Sequence, residues 1–268
     1  MGVLNGKVAF ITGAGRGQGR SHAVRLAEAG ADIIGVDICR DVASIDYALA
    51  TVEDLDQTAR LVRAVGRRIS TAVADVRRRD ELEAAATAGA AELGGIDIVC
   101  ANAGICIMRR WDEVTDDIWG DQIDILLTGT WNTLTATLPH LLRRGGGSII
   151  VTSSVAGVKG NPYFAGYVAA KHGVIGLAKS MANELALQNI RVNCISPNGV
   201  NTDMVAGLDN FQSMLASDPH SKHIFTNALP LDLVEPGDVS EAVLFLASPA
   251  SRHMTGHNLC IDLGNTIR

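Results

Sequence analysis

Ser154, Tyr167 and Lys171 lie in the segment SSVAGVKGNPYFAGYVAAK, at a spacing suited to proton transfer coupled to hydride transfer. Tyr167 and Lys171 are four residues apart, so on a helix their side chains share one face. A free tyrosine ionises near pH ~10, too high for a base near neutrality, and an adjacent ammonium favours the phenolate. Ser154 follows the apolar run SIIVTS (148–153), which reads as a buried strand. Its hydroxyl then emerges at a strand's carboxyl end, where open α/β sheets take their ligands. Alone, Y-x-x-x-K is also an ordinary helix-surface pair, and the rest of the chain must decide.

Short apolar runs alternate with helical patterns throughout: 7–12, 31–37, 68–74, 95–101, 148–153, 190–196 and 257–262. Seven continuous apolar strands without strict alternation predict a parallel sheet covered on both faces, a single-domain doubly wound (Rossmann) α/β fold over residues 1–268. Helices are expected from about 19 to 29, from Thr51 as cap to Gly66, and over about 116–143 and 165–188. Two connections at the ligand end are long: an insertion near 38–50, and 198–234, the natural place for a substrate lid. Lid residues Met204, Val205, Leu208, Phe211, Met214, Leu215, Ile224 and Phe225 suit an apolar substrate, or else a self-contained cluster.

After the first strand comes TGAGRGQG, whose Gly13, Gly17 and Gly19, with Arg16 and Gln18 between them, suit a tight turn against a pyrophosphate at a helix N-terminus. Asp37 ends the second strand, where a carboxylate accepts from a ribose diol and repels a 2′-phosphate; NAD is therefore expected over NADP, with Ile38 beside it. The counter-reading is that Arg16 and Arg40 neutralise such a phosphate. Asp75 and Val76 suit the adenine, and Asn102, Ala103 and Gly104 stand at the fourth strand's end.

The 268 residues, 47% of them hydrophobic, can bury a full core, and a net charge of −6 gives no footprint for nucleic acid. Arg77 to Arg79 are expected as a solvated helix start. The run from Val8 to Ile11 is too short for a signal peptide, Gly6 breaks the myristoylation pattern, and no stretch reaches the ~20 apolar residues of a membrane span. A soluble cytoplasmic protein without membrane partners is expected. Five scattered cysteines and His220, His223, His253 and His257 have no metal-ligand spacing, so no metal is expected. His172, Trp111, Trp119 and Trp131 read as packing residues, the tryptophans alternatively as an interface.

Together these motifs resemble the short-chain dehydrogenase/reductase family from Gly6 to Gly264: T-G-x-x-x-G-x-G at Thr12–Gly19, N-A-G at Asn102–Gly104, and a serine thirteen residues before Y-x-x-x-K. The family's P-G-x-V-x-T appears altered as 197–202, which would set Val200 and Thr202 against the nicotinamide carboxamide. The resemblance implies Tyr167 as acid/base, Ser154 orienting the substrate oxygen, Lys171 holding the nicotinamide ribose while lowering the tyrosine pKa, and a homotetramer paired through the long helices. Leu126 stands where the family has an asparagine that relays protons by water, so the relay is expected to be weakened or rerouted.

The insertion and the segments 13–39 and 161–177 are similar to the carveol-dehydrogenase branch, also described as mycofactocin-coupled. That branch implies actinobacteria, residues 38–50 covering the adenosine end, and NAD so firmly held that a separate redox carrier reoxidises it. The expected function is oxidation of an apolar or alicyclic secondary alcohol, or reduction of its ketone, with NAD. The alternatives are an NADP-dependent carbonyl reductase and a catalytically retired dinucleotide-binding sensor or scaffold.

Overall fold

The computed structural model describes residues 2–206, 208 and 211–268; positions 207, 209 and 210 of the expected lid, and Met1, lie outside the described residues. Seven strands form one parallel sheet in the order β3-β2-β1-β4-β5-β6-β7. They are β1 (Val8–Thr12), β2 (Asp32–Asp37), β3 (Ile69–Val73), β4 (Ile98–Ala101), β5 (Gly147–Thr152), β6 (Ile190–Pro197) and β7 (Asn258–Ile261). All seven match the apolar runs of the sequence to within three residues at either end.

Alternate strand residues enter two cores. Phe10, Ile34, Val36, Val99 and Ile149 face one side, with helices α3 (Arg79–Leu93), α5 (Gly129–Arg143) and α6 (Ala165–Leu185). Ile11, Ile33, Ile98, Ile150 and Ile195 face the other, with α1 (Gly17–Glu28), α2 (Val52–Ala64) and α9 (Pro236–Ala247). Burial on both faces explains why the inner strands read as continuous apolar runs. The edge strands β3 and β7 are only partly buried.

The local stops are those that side-chain chemistry predicts. Thr51 caps α2 through a reciprocal box with Asp54, and Gly66 at φ 79 follows that helix. The expected 116–143 helix is α4 (Asp116–Ile123) and α5 joined by a π-helical turn at Asp124–Thr128. That wide turn brings Leu126 and Leu127 towards the site and α6. On α6 the small residues divide. Gly166 abuts Gln122 of α4, and a Cβ at Gly173 would stand 3.0 Å from Leu127, whereas Ala165 and Ala169 are exposed.

Two expectations differ. Arg77 is no solvated helix start, since it donates to Asp75 and, at 2.8 Å, to Asp121. The tryptophans are not packed within the chain: Trp111 is 83% exposed, and Trp119 on α4 and Trp131 on α5 are exposed too. His172 sits on the surface of α6, its Nδ1 2.9 Å from the Val168 carbonyl.

Candidate active site

The sheet order reverses between β1 and β4, and the carboxyl ends of these strands open into a cleft. Its walls include Gly13, Arg16, Gly17, Gln18, Gly19, Asp37, Ile38, Asp75, Val76, Asn102, Ala103, Gly104 and Thr202. Of the cofactor residues expected from the sequence, Val200, Tyr167 and Lys171 line the adjoining cavity instead, together with Ser154, and the rest are in the cleft.

Backbone proximity builds the cleft. Gly13 and Gly17 have φ of 68° and 52°, and a Cβ at Gly19 would stand 1.9 Å from the Gly13 carbonyl oxygen. No other residue type fits at Gly19 without moving the loop. The Thr12 hydroxyl accepts from the amides of Asn102 and Ala103, each at 3.1 Å. The Asn102 side chain donates to the Thr12 carbonyl at 3.1 Å and accepts from Thr152 at 3.3 Å. Asn102 therefore staples β1, β4 and β5, and both ends of its amide are used within the protein.

Asp37 is buried, with Oδ2 accepting from the Gly15 amide at 2.8 Å and Oδ1 from the Cys39 amide at 3.3 Å. Each oxygen keeps a lone pair for a diol. The two arginines of the counter-reading point elsewhere: Arg40 pairs with Asp75, and Arg16 with Asp203, both at 3.3 Å. Asp75 stands in the cleft wall as expected, with its carboxylate already engaged inside the protein. Its oxygens are occupied by the Arg77 guanidinium and amide and by Arg40. Burial opposes ionisation there, yet these arginine contacts outweigh it and hold the carboxyl below its ordinary pKa.

The structure adds Tyr47 of the insertion to the cleft wall, where its hydroxyl accepts from the Cys106 amide at 3.0 Å. Ser44 donates to Asp121 at 2.6 Å, and Arg16 holds the Ala48 carbonyl. Only the insertion's unusual length pointed to these residues. These side chains fit a dinucleotide: the glycine cradle has no room for a Cβ, Asp37 has spare acceptor capacity, and Gln18 Oε1 is buried in the wall without a hydrogen-bond partner. Among the described residues no cluster of metal-ligating side chains occurs, and no helix is long and apolar enough to cross a membrane.

Beside the cleft lies a cavity of about 350 Å³. Ser154, Tyr167 and Lys171 share its wall with Cys106, Phe164, Val200, Met204, Val205, Leu208, Phe211 and Phe225. The lid residues thus face this cavity, apart from Met214, which packs behind them, and Leu215 and Ile224, which are not in its wall. Gln18, Asn102, Gly104, Ile105, Thr202 and Met204 belong to both walls, so the two spaces meet.

Lys171 is buried, donates to the Thr152 carbonyl at 2.8 Å and lies 5.5 Å from the Tyr167 ring centre. Burial pulls its pKa down to about 8. Burial likewise pushes the Tyr167 phenol above its ordinary range; Cys106 adds to the rise, and a hydrogen bond from Ser154 works against it. Within the protein alone, then, desolvation outweighs the expected lowering by Lys171, and Tyr167 rests as the neutral acid. A Cβ at Gly104 would stand 3.1 Å from Leu126 and 3.8 Å from Lys171 Nζ. Leu126 and Lys171 thus both approach Gly104, and the leucine brings hydrocarbon there in place of the family's asparagine.

The family model described as "Enoyl-(Acyl carrier protein) reductase" matches residues 13–266. The (-)-trans-carveol dehydrogenase of Rhodococcus erythropolis is 44% identical to this chain, over 100% of each. Two crystal structures superpose over 100% of both chains. A short chain dehydrogenase from Mycobacterium paratuberculosis bound to NAD has a TM-score of 0.96 at 44% identity. Carveol dehydrogenase from Mycobacterium avium in complex with NAD has 0.93 at 46%.

Proposed function

The chain belongs to the short-chain dehydrogenase/reductase family of oxidoreductases, and from that premise we propose that it transfers a hydride between NAD(H) and an apolar, alicyclic secondary alcohol or its ketone. The observation that carries this reading is the junction at Gln18, Asn102 and Gly104, where the cavity holding Ser154 and Tyr167 meets the dinucleotide cleft. When bound there, the dinucleotide supplies or accepts the hydride at its nicotinamide.

Tyr167 moves the proton at the substrate oxygen, and Ser154 hydrogen-bonds that oxygen and orients it. In the reducing direction the neutral phenol is already the required acid. In the oxidising direction the buried Lys171 ammonium would supply the positive charge that makes the phenolate accessible. Asp37, with neither Arg16 nor Arg40 free to neutralise a 2′-phosphate, supports NAD over NADP. Val200 and Thr202, brought close by the pairing of Val200 with Val234, hold the carboxamide end.

Residues 38–50 close the adenosine end through Tyr47, Ser44 and Ala48, and 198–234 form the substrate lid of the single domain. Such closure supports a firmly held cofactor that a separate redox carrier reoxidises. The exposed Trp119 and Trp131 on the long helices support a homotetramer. A cytoplasmic location is part of the same proposal; among the described residues no helix is long and apolar enough to cross a membrane.

The test is NADH absorbance during incubation with NAD and a panel of alicyclic secondary alcohols, with an artificial electron acceptor in parallel. Tyr167→Phe should lower either signal by about 10²- to 10⁴-fold while leaving NAD binding intact. Dye reduction without free NADH would mark a retained cofactor. Silence in both arms, with NAD binding demonstrated, would instead favour a retired dinucleotide-binding protein, the reading to which Leu126 lends support.

A further inference from the structure

Four buried side-chain polar atoms among the described residues have no hydrogen-bond partner: those of Gln18, His22, Gln122 and Asn161. Two of the four residues, Gln18 and Asn161, are in the wall of the cavity that holds Tyr167. Gln18 stands at the junction with the dinucleotide cleft and is accounted for there. Asn161 is not, since it belongs to the substrate cavity alone.

Asn161 lies between the catalytic serine and tyrosine in sequence, followed by Pro162, which restricts its backbone to extended conformations. The segment around it is fastened on both sides. Lys159 Nζ donates to the carbonyls of Ile224 and Asn265 at 2.6 and 3.0 Å. The Tyr163 hydroxyl donates to Asp218 at 2.9 Å, and the Tyr163 carbonyl accepts from Arg109 at 3.0 Å. Tyr163 is held at φ 72, a region that a bulky side chain rarely adopts and that persists only where surrounding contacts enforce it.

A buried, unmated Oδ1 on a fixed segment, in a wall that also carries Cys106, Phe164, Phe211 and Phe225, is costly unless a ligand mates it. The amide's terminal torsion is soft and roughly two-fold, so rotation about it can turn Oδ1 towards the cavity, and a half-turn presents Nδ2 in its place. We propose that Asn161 is a specificity-determining residue that binds a second oxygen of the substrate. The substrate class is an alicyclic diol or hydroxyketone, whose second hydroxyl can donate to Oδ1 or accept from Nδ2. This rests on the dehydrogenase reading of the same cavity and adds to it that one hydroxyl reacts while the other is recognised.

The test compares cyclohexanol with the 1,2-, 1,3- and 1,4-cyclohexanediols, in the wild type and in Asn161→Leu. At least one diol should exceed cyclohexanol in kcat/KM by tenfold or more in the wild type. In Asn161→Leu that ratio should fall at least tenfold, through KM rather than kcat, because the contact is made equally in ground and transition states. Calorimetric titration of the same compounds into NAD-loaded Tyr167→Phe, with and without Asn161→Leu, reads the preference without turnover. Loss of the diol preference on removing Asn161 supports the proposal. A preference absent from the wild type, or unchanged by Asn161→Leu in both assays, overturns it and leaves the amide to an ordered water. Asn161-dependent diol binding with no turnover would sink the dehydrogenase reading alone. A thermal melt of Asn161→Leu at or above the wild-type midpoint would exclude misfolding as the cause of any loss.

Discussion

The dinucleotide cleft and the substrate cavity share a wall but are built on opposite plans. In the cleft, Asp37 and Asn102 are mated within the protein before any ligand arrives, Asp37 to the Gly15 and Cys39 amides and Asn102 to the Thr12 carbonyl and the Thr152 hydroxyl, with Gln18 Oε1 the exception. In the cavity, hydrocarbon from distant segments surrounds Ser154 and Tyr167, and Asn161 is left unmated. The cleft suits one invariant ligand whose phosphates and ribose demand fixed donors and acceptors. The cavity suits a ligand defined mainly by shape and by few oxygens.

The sharpest way to break the cleft is to add atoms where its backbone closes. Gly19→Val would place a Cβ where the Gly13 carbonyl oxygen leaves 1.9 Å. The glycine loop must open, so we expect NAD binding to be lost, with stability lowered by about 3 kcal/mol or more. Calorimetric titration with NAD and a thermal melt check both. An equivalent addition at Gly160, where a Cβ would meet open space, should leave NAD binding unchanged.

The pre-mated half of the molecule also carries a hidden dependence on pH. His22 of α1 is fully buried, with Nδ1 2.8 Å from the Ser240 hydroxyl of α9 and Nε2 without a partner. Burial pulls its pKa down to about 3, against ~6.5 in an unfolded chain. Between those values the unfolded chain binds a proton that the native state refuses, so stability falls as pH drops from about 6.5 towards about 3. At ~1.4 kcal/mol per pH unit the loss approaches about 5 kcal/mol. Denaturant melts should show that slope, and His22→Leu should flatten it; an unchanged slope would shift the acid sensitivity to other groups.

The cavity should respond more mildly and in a different parameter. Phe211 is partly exposed and packs edge-on against Phe225, ring centres 5.0 Å apart, and against Phe164 at 6.4 Å. Phe211→Ala removes contacts that bind substrate and transition state alike. It should raise KM about five- to tenfold, leaving kcat and NAD affinity near their original values. A fall in kcat instead would mean that the lid positions the reacting carbon.

The same contrast decides what could be read in advance. The strands were legible because both faces of the inner sheet are buried, and the glycine loop because close backbone approach admits a single residue type. The place of Asp75 at a strand end in the cleft wall is legible, but the pairing of its carboxylate with Arg77, two residues on, is not. Local ion pairing of that kind leaves no periodic signal. Tyr47 and Asn161 were invisible as site residues because their position depends on how a long insertion and a loop are fastened by Arg16 and Lys159. The apolar character of the lid was readable, though which of its residues face the cavity was not.

Leu126 sits on the boundary between the two plans, and it offers the smallest and most discriminating test. It is buried against Gly104, which Lys171 Nζ also approaches. Leu126→Asn would bury an amide among hydrocarbon, at a stability loss of about 1–3 kcal/mol. The new amide would also offer a hydrogen bond near the lysine, and with it a path for protons leaving Tyr167. We expect a lower melting temperature with turnover raised by about two- to fivefold, a small part of the ~10²- to 10⁴-fold that general acid–base catalysis supplies. Steady-state rates at saturating alcohol, measured where the variant is fully folded, read the second effect apart from the first. An unchanged or lower rate would show that the proton leaves by another route, and that hydrocarbon beside Lys171 belongs to the working site.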